Sequence, residues 1–161
     1  PVMFVESKLL YKVKGPVPEA PYVVPLGKAI VRRPGKDLTV VATSIMVVRA
    51  LEAAQKLAQE GIELEVIDLR TIRPLDWMTI LESVKKTNRL VIVEEQWPFA
   101  SVSSEITYRI QKEGFDYLDA PIRRITAADA PLHYAGNLVN AALPDVPRTV
   151  KLVKEVMYQV K

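Results

Sequence analysis

The chain has no cysteine and a single histidine. The first absence excludes disulfides, thiolate nucleophiles and zinc–thiolate sites, and the second excludes a multi-histidine metal centre. Glycine is scarce, with six in 161 residues. Nowhere are the glycines spaced as G-x-G-x-x-G or as a P-loop, so the backbone cradles that hold nucleotide phosphates are missing. No apolar run approaches the roughly 18 residues of a membrane span. Neither sign of charge dominates: 22 basic against 19 acidic residues leave a net charge of +3. With both signs interspersed, neither nucleic acid nor a membrane is expected as a partner.

What is present is ordinary globular material, 49% hydrophobic and 25% charged, long enough to bury a substantial single core. Six of the twelve prolines fall within the first 34 residues. The run Gly15-Pro16-Val17-Pro18-Glu19-Ala20-Pro21 and the pair Val24-Pro25 read as an extended connector that cannot be helical. A short strand from Met3 to Glu6 precedes it. Because the chain opens on Pro1 inside what reads as a strand, a parent protein continuing upstream is expected. Residues 1–27 are therefore read as a strand and linker, and 28–161 as the domain proper.

From Lys28 the pattern alternates. Lys28–Arg33 and the β-branched run Leu38–Thr43 read as strands, the second buried on both faces. Thr43 or Ser44 can cap a helix bearing Val47, Ala50, Leu51, Ala54, Leu57 and Ala58, ended by Gly61. Leu64–Leu69 is a strand. Asp76 opens a helix with Trp77, Ile80, Leu81 and Val84 on its core face, and Asn88 stops it. Arg89–Glu94 is a strand, then a helix carries Val102, Ile106 and Ile110. Ile122–Thr126 is the last strand, followed by a small helical piece and an amphipathic helix over Val150–Val160. Strand and helix at 20–30 residue intervals predict right-handed crossovers and a three-layer α/β/α domain around a mostly parallel sheet.

In such sheets ligands lie beyond the carboxyl ends of the strands. Glu94-Glu95 stands at one such end, but adjacent strand residues point to opposite faces, so the two carboxylates are not expected to converge. Ser101, Ser103 and Ser104, followed by Glu105, read as helix caps with an acidic first turn rather than as nucleophiles. His133, four residues after Asp129, reads as a loop histidine and not as a general base. Arg70, Arg73, Arg123 and Arg124 read as ion-pairing residues. Trp97-Pro98-Phe99 fits a protein interface as well as it fits the core. From the residues alone this reads as a structural or interaction module with almost no catalytic apparatus.

The run Asp68-Leu69-Arg70-Thr71-Ile72-Arg73-Pro74-Leu75-Asp76 is more specific. With Val93-Glu94-Glu95-Gln96-Trp97-Pro98, Ser104-Glu105-Ile106 and Ala127–Ala135, it resembles the β subunits of pyruvate dehydrogenase, the decarboxylating first component of 2-oxo acid dehydrogenase complexes. The resemblance runs along essentially the whole chain and is confined to the carboxyl-terminal domain that these subunits share with transketolases. Deoxyxylulose-phosphate synthases carry an Arg-Phe-x-Lys-Pro version instead. One departure is Phe99–Ser103, where relatives often have glycines.

The resemblance implies a five-stranded sheet whose first strand is antiparallel to the rest. It makes residues 1–11 the end of a pyrimidine-binding domain and 12–27 a connector. The implied reaction is thiamine-diphosphate-dependent oxidative decarboxylation of pyruvate with acetyl transfer to lipoyl groups. Thiamine diphosphate and magnesium are held by an α subunit, and the activating glutamate and catalytic histidine belong to the preceding β domain. No catalytic, cofactor or metal residue is thus carried over, and the isolated chain is expected to be inactive. The implied partners are the α subunit, a second β subunit in an α₂β₂ tetramer, and the subunit-binding domain of the dihydrolipoyl acyltransferase. Asp119, in Tyr117-Leu118-Asp119-Ala120-Pro121, and the terminal Lys161 match the acyltransferase-docking positions. Trp97 and Phe99 suit a subunit contact. A branched-chain or acetoin dehydrogenase β subunit, or a freestanding interaction domain, is the alternative. A bacterial cytoplasm is the expected compartment, with a mitochondrial matrix or plastid also compatible.

Overall fold

The computed structural model describes residues 1–158. Five strands, β1 (Ile30–Arg33), β2 (Leu38–Ala42), β3 (Leu64–Asp68), β4 (Leu90–Val93) and β5 (Arg123–Ile125), form one sheet in the order β1-β3-β2-β4-β5. β1 pairs antiparallel with β3, and every other pair is parallel. The helices are α1 (Ile45–Ala58), α2 (Trp77–Thr87), α3 (Val102–Glu113), α4 (Gly136–Ala142) and α5 (Val146–Met157).

The two-residue period of the strands divides the core. Leu38, Val40, Ala42, Val66, Val91 and Val93 pack with Met46, Ala50, Ala54 and Leu57 of α1 and with Val153 and Val156 of α5. Their neighbours Val41, Ile67, Leu90 and Ile92 face Ile80, Leu81 and Val84 of α2 and Ile106 and Ile110 of α3. This is the three-layer architecture read from the sequence. Thr39, wholly buried in β2, also faces α2, where its hydroxyl shares hydrogen bonds with Ser83 (2.6 Å) and Thr87 (2.7 Å). These three core hydroxyls are thereby paired.

Local signals fix most boundaries. Asp76 caps α2, its carboxylate accepting from the Thr79 amide and hydroxyl. Asn88 ends α2 in the left-handed region at φ 60°. Gly35 turns β1 into β2 so close to β3 that a Cβ would lie 2.1 Å from the Leu64 carbonyl carbon, so no side chain fits there.

Three expectations are corrected. Met3–Glu6 is not a strand: residues 1–7 carry no regular structure and Lys8–Lys12 form a 3-10 turn. A strand needs a neighbour to take its backbone hydrogen bonds, and none lies beside these residues. The last helix begins at Val146, not Val150, because Asp145 accepts from the Arg148 amide at 2.8 Å and Pro147 sits in the first turn. Ser44 stands at the α1 cap position but its side chain makes no cap bond, the backbone there being at φ 53°.

Candidate functional site

Two ends of the sheet hold the candidate residues. At the upper end, where the parallel strands finish, the connections leaving β2 and β4 pass to opposite faces and the strand order reverses. Nucleotide-binding sheets keep their ligand in this crevice. Here it is reduced to a cavity of about 20 Å³ lined by Ala42, Thr43, Leu69, Val93 and Glu94 among others. That is room for one water molecule.

The reason lies in Glu94. Its side chain is buried, and it accepts from the Ser103 amide (3.2 Å) and from the Ser103 hydroxyl. The first turn of α3 leaves amides unpaired and favours negative charge. A carboxylate of the chain itself fills the place an anionic ligand would take. This cavity is smaller than a diphosphate, and its lining includes a carboxylate.

The serines therefore do not cap α3 as expected. Ser101 occupies the cap position without making a cap bond. Its hydroxyl pairs with that of Ser103 at 2.8 Å, while the Arg124 guanidinium donates to Ser104 Oγ at 2.7 Å and to the Pro98 carbonyl at 3.2 Å. The sequence reading missed this network, whose only signal was a strand-end Glu followed by a Ser-x-Ser-Ser run. Glu95, by contrast, turns outward, so the two carboxylates diverge as read.

Beyond the network the loop is open. Trp97 and Phe99 are 55% and 85% exposed and flank a groove of about 390 Å³ with Glu95, Gln96 and Ala100. The Gln96 carbonyl accepts from the Ala127 amide at 3.0 Å, joining this loop to the one after β5. His133 and Asp129 on that second loop are both exposed. Trp77 packs against the α2–α3 side of the core as expected.

Asp119 lies at the opposite, lower end, where the strands begin. Its amide donates to the Asn88 carbonyl (2.8 Å), and the Asn88 side chain donates to the Tyr117 carbonyl (2.9 Å). The Lys85 ammonium sits over the Tyr117 ring at 5.4 Å. The turn is thus strapped down, yet the Asp119 side chain remains 59% exposed, 3.8 Å from the Arg89 guanidinium. α5 descends to the same end: Glu155 lies 3.7 Å from Arg123 at the start of β5, and Lys154 donates to Glu60 at 2.8 Å. Lys161 lies outside the described residues.

The structure thus brings Glu94, Ser101, Ser103, Ser104 and Arg124 together at one end and keeps Asp119 apart from Trp97 and Phe99. Among solved structures, a split-gene transketolase described as an inactive β4 tetramer matches with a TM-score of 0.73 and 26% identity. The match covers 83% of this chain and 43% of that one. A 2-oxoglutarate:ferredoxin oxidoreductase from Magnetococcus marinus shares the fold, with a TM-score of 0.54 at 14% identity over 81% of this chain and 19% of that one.

Among curated proteins, pyruvate dehydrogenase E1 component subunit beta from Rhizobium meliloti is 49% identical over 99% of this chain and 35% of its own length. The protein of that name from Rickettsia felis is 51% identical over 98% of this chain and 48% of its own. The mitochondrial beta-1 subunit from Arabidopsis thaliana is 49% identical over the whole of this chain and 46% of its own length. The chain therefore spans half or less of the relatives it matches. Residues 27–148 match the family model of the transketolase C-terminal domain, and the chain belongs to that family.

Proposed function

We propose that this chain is the assembly and docking part of a pyruvate dehydrogenase β subunit. The observation that carries the reading is identity of about half to pyruvate dehydrogenase E1 β subunits along the full chain. In this reading residues 1–27 are the end of a preceding pyrimidine-binding domain and its connector, and residues 28–161 are the carboxyl-terminal domain. The parent enzyme decarboxylates pyruvate on thiamine diphosphate and passes the acetyl group to a lipoyl carrier. The cofactor and its magnesium are held elsewhere, by an α subunit, and the crevice closed by Glu94 supports that division. Relatives occur in bacteria and in mitochondria, and a bacterial cytoplasm suits this chain.

Two surfaces carry the role. Trp97 and Phe99 form a subunit contact, with the second β subunit or the α subunit. Exposed aromatics beside a groove supply the apolar anchor such contacts need, and the β4 assembly named for the split transketolase is consistent with it. Asp119, with Lys161, receives the basic subunit-binding domain of the acyltransferase. A carboxylate held on a strapped turn keeps its charge outward at little entropic cost.

Calorimetry with a purified acyltransferase subunit-binding domain tests this. Asp119→Lys is expected to weaken binding at least about tenfold. Equal affinity for the two chains would remove Asp119 from the docking surface.

A further inference from the structure

Among the residues that carry most of the family resemblance, Arg70 to Asp76, Ile72 lines the upper crevice. These residues form the loop from β3 to α2, and three of their side chains take hold of one stretch of backbone. The Thr71 hydroxyl accepts from the Gly27 amide at 3.1 Å. Arg70 Nε donates to the Lys28 carbonyl at 2.9 Å. Asp76 accepts from the Ala29 amide at 3.0 Å. Three successive residues are thus hydrogen-bonded through their main-chain groups, two donors and one acceptor.

The fit extends to shape. Gly27 has φ +71°, and a Cβ there would lie 2.8 Å from Pro74 Cγ. Only glycine can take that conformation against that ring without displacing it. The loop is itself braced for the task. Arg70 adopts φ 54°, its amide bonded to Asp68 Oδ1 at 3.0 Å. A non-glycine residue in that region carries strain that its surroundings must hold. The same Asp68 pairs with Arg32 of β1 at 2.9 Å, tying the loop to the strand that follows the gripped segment.

Upstream the situation reverses. Residues 1–26 are almost all exposed, including Val2, Met3, Phe4, Val5, Val17, Tyr22 and Val23. Proline stiffens their course at positions 16, 18, 21 and 25. A stiff segment transmits the direction in which it is held at its base.

We propose that the β3–α2 loop is a clasp for main chain, in which Arg70, Thr71, Pro74 and Asp76 fix the direction in which residues 1–26 leave the domain. Arg70 and Thr71 are positioning residues, and no side chain of the connector other than the absent one of Gly27 is read. This role is separate from docking at Asp119 and stands or falls without it.

The absence of cysteine allows spin labels to be placed at will. Labels at Val24→Cys and Gln55→Cys report the distance from connector to α1 by electron–electron resonance. A narrow distribution is expected in this pair. Thr71→Val, Arg70→Met and Gly27→Ala should each widen it at least about twofold, and Thr71→Ser should restore it. Exchange of the Gly27 amide should quicken roughly tenfold in Thr71→Val, with the urea midpoint of the core unmoved. A distribution already broad in the parent pair, or left unchanged by these variants, overturns the proposal. So does a widening matched by a falling urea midpoint, which would assign the loop to support of the fold.

Discussion

The two ends of the sheet differ in what they do with a carboxylate. At the upper end Glu94 is drawn inside and spent on the first turn of α3, with Ser103 donating to it twice. At the lower end Asp119 is held out, its backbone strapped to Asn88 while most of its side chain faces solvent. The crevice that doubly-wound sheets reserve for ligands is closed by the chain's own anion. The end that such sheets leave unused carries an outward carboxylate, with Arg89 beside it. On the proposed reading, a fold built around a ligand crevice is turned to contacts once an internal carboxylate fills the crevice.

The contrast can be broken most sharply at Glu94. Glu94→Ala strips the Ser103 amide and hydroxyl of a charged acceptor inside the protein, and is expected to cost about 3 kcal/mol of stability in urea denaturation. A loss below about 1 kcal/mol would mean that Glu94 is not the keystone of that end.

Acid sharpens the comparison between inward and outward carboxylates. Burial alone would raise the pKa of Asp76, but the Thr79 hydroxyl, the Ala29 and Thr79 amides and the charge of Lys28 outweigh it and hold the value below 3.8. Burial likewise opposes ionisation of Glu65, and Lys86, Ser83 and the Gly35 amide overcome it, leaving the pKa below 4.5. A group whose pKa is depressed by folding stabilises above its unfolded value and ceases to do so as pH falls through the folded one. Stability should be flat down to about pH 5 and decline below it. Asp76→Asn should flatten that decline and cost about 1 kcal/mol at neutral pH, because the Ala29 amide and Thr79 hydroxyl lose their acceptor oxygen. An unchanged acid slope in the variant would sink the assignment.

The smallest effects belong to the outward groups. Trp97→Ser with Phe99→Ser, and separately Asp119→Lys, should move the urea midpoint by less than about 0.5 kcal/mol equivalent. The aromatic pair should nonetheless lower self-association or α-subunit capture in sedimentation. A large loss of stability from either change would show that these groups belong to the fold rather than to partners.

The framework was legible because its signals are local and periodic. The alternation of Val40 and Val41 across β2, the cap at Asp76 and the left-handed stop at Asn88 each follow from residue type and spacing. The antiparallel first strand came from the family resemblance, since periodicity does not carry strand direction. The errors arose where a partner decides the outcome. Met3–Glu6 has strand composition, but composition does not supply a neighbouring strand. Ser101 has cap composition, but Glu94, seven residues upstream, already holds the amide of Ser103. The clasp was invisible for the same reason, since Thr71 and Gly27 meet only in three dimensions and the bond engages backbone.

The direction of β1 has a last consequence. Ile30 pairs with Asp68, the final residue of β3, so the polypeptide enters at the upper end and runs against its neighbours. Had β1 been parallel, the chain would have come in at the lower end, the end that carries Asp119, though at the opposite edge of the sheet. One reversed strand thus brings the connector in at the pole of the domain away from Asp119.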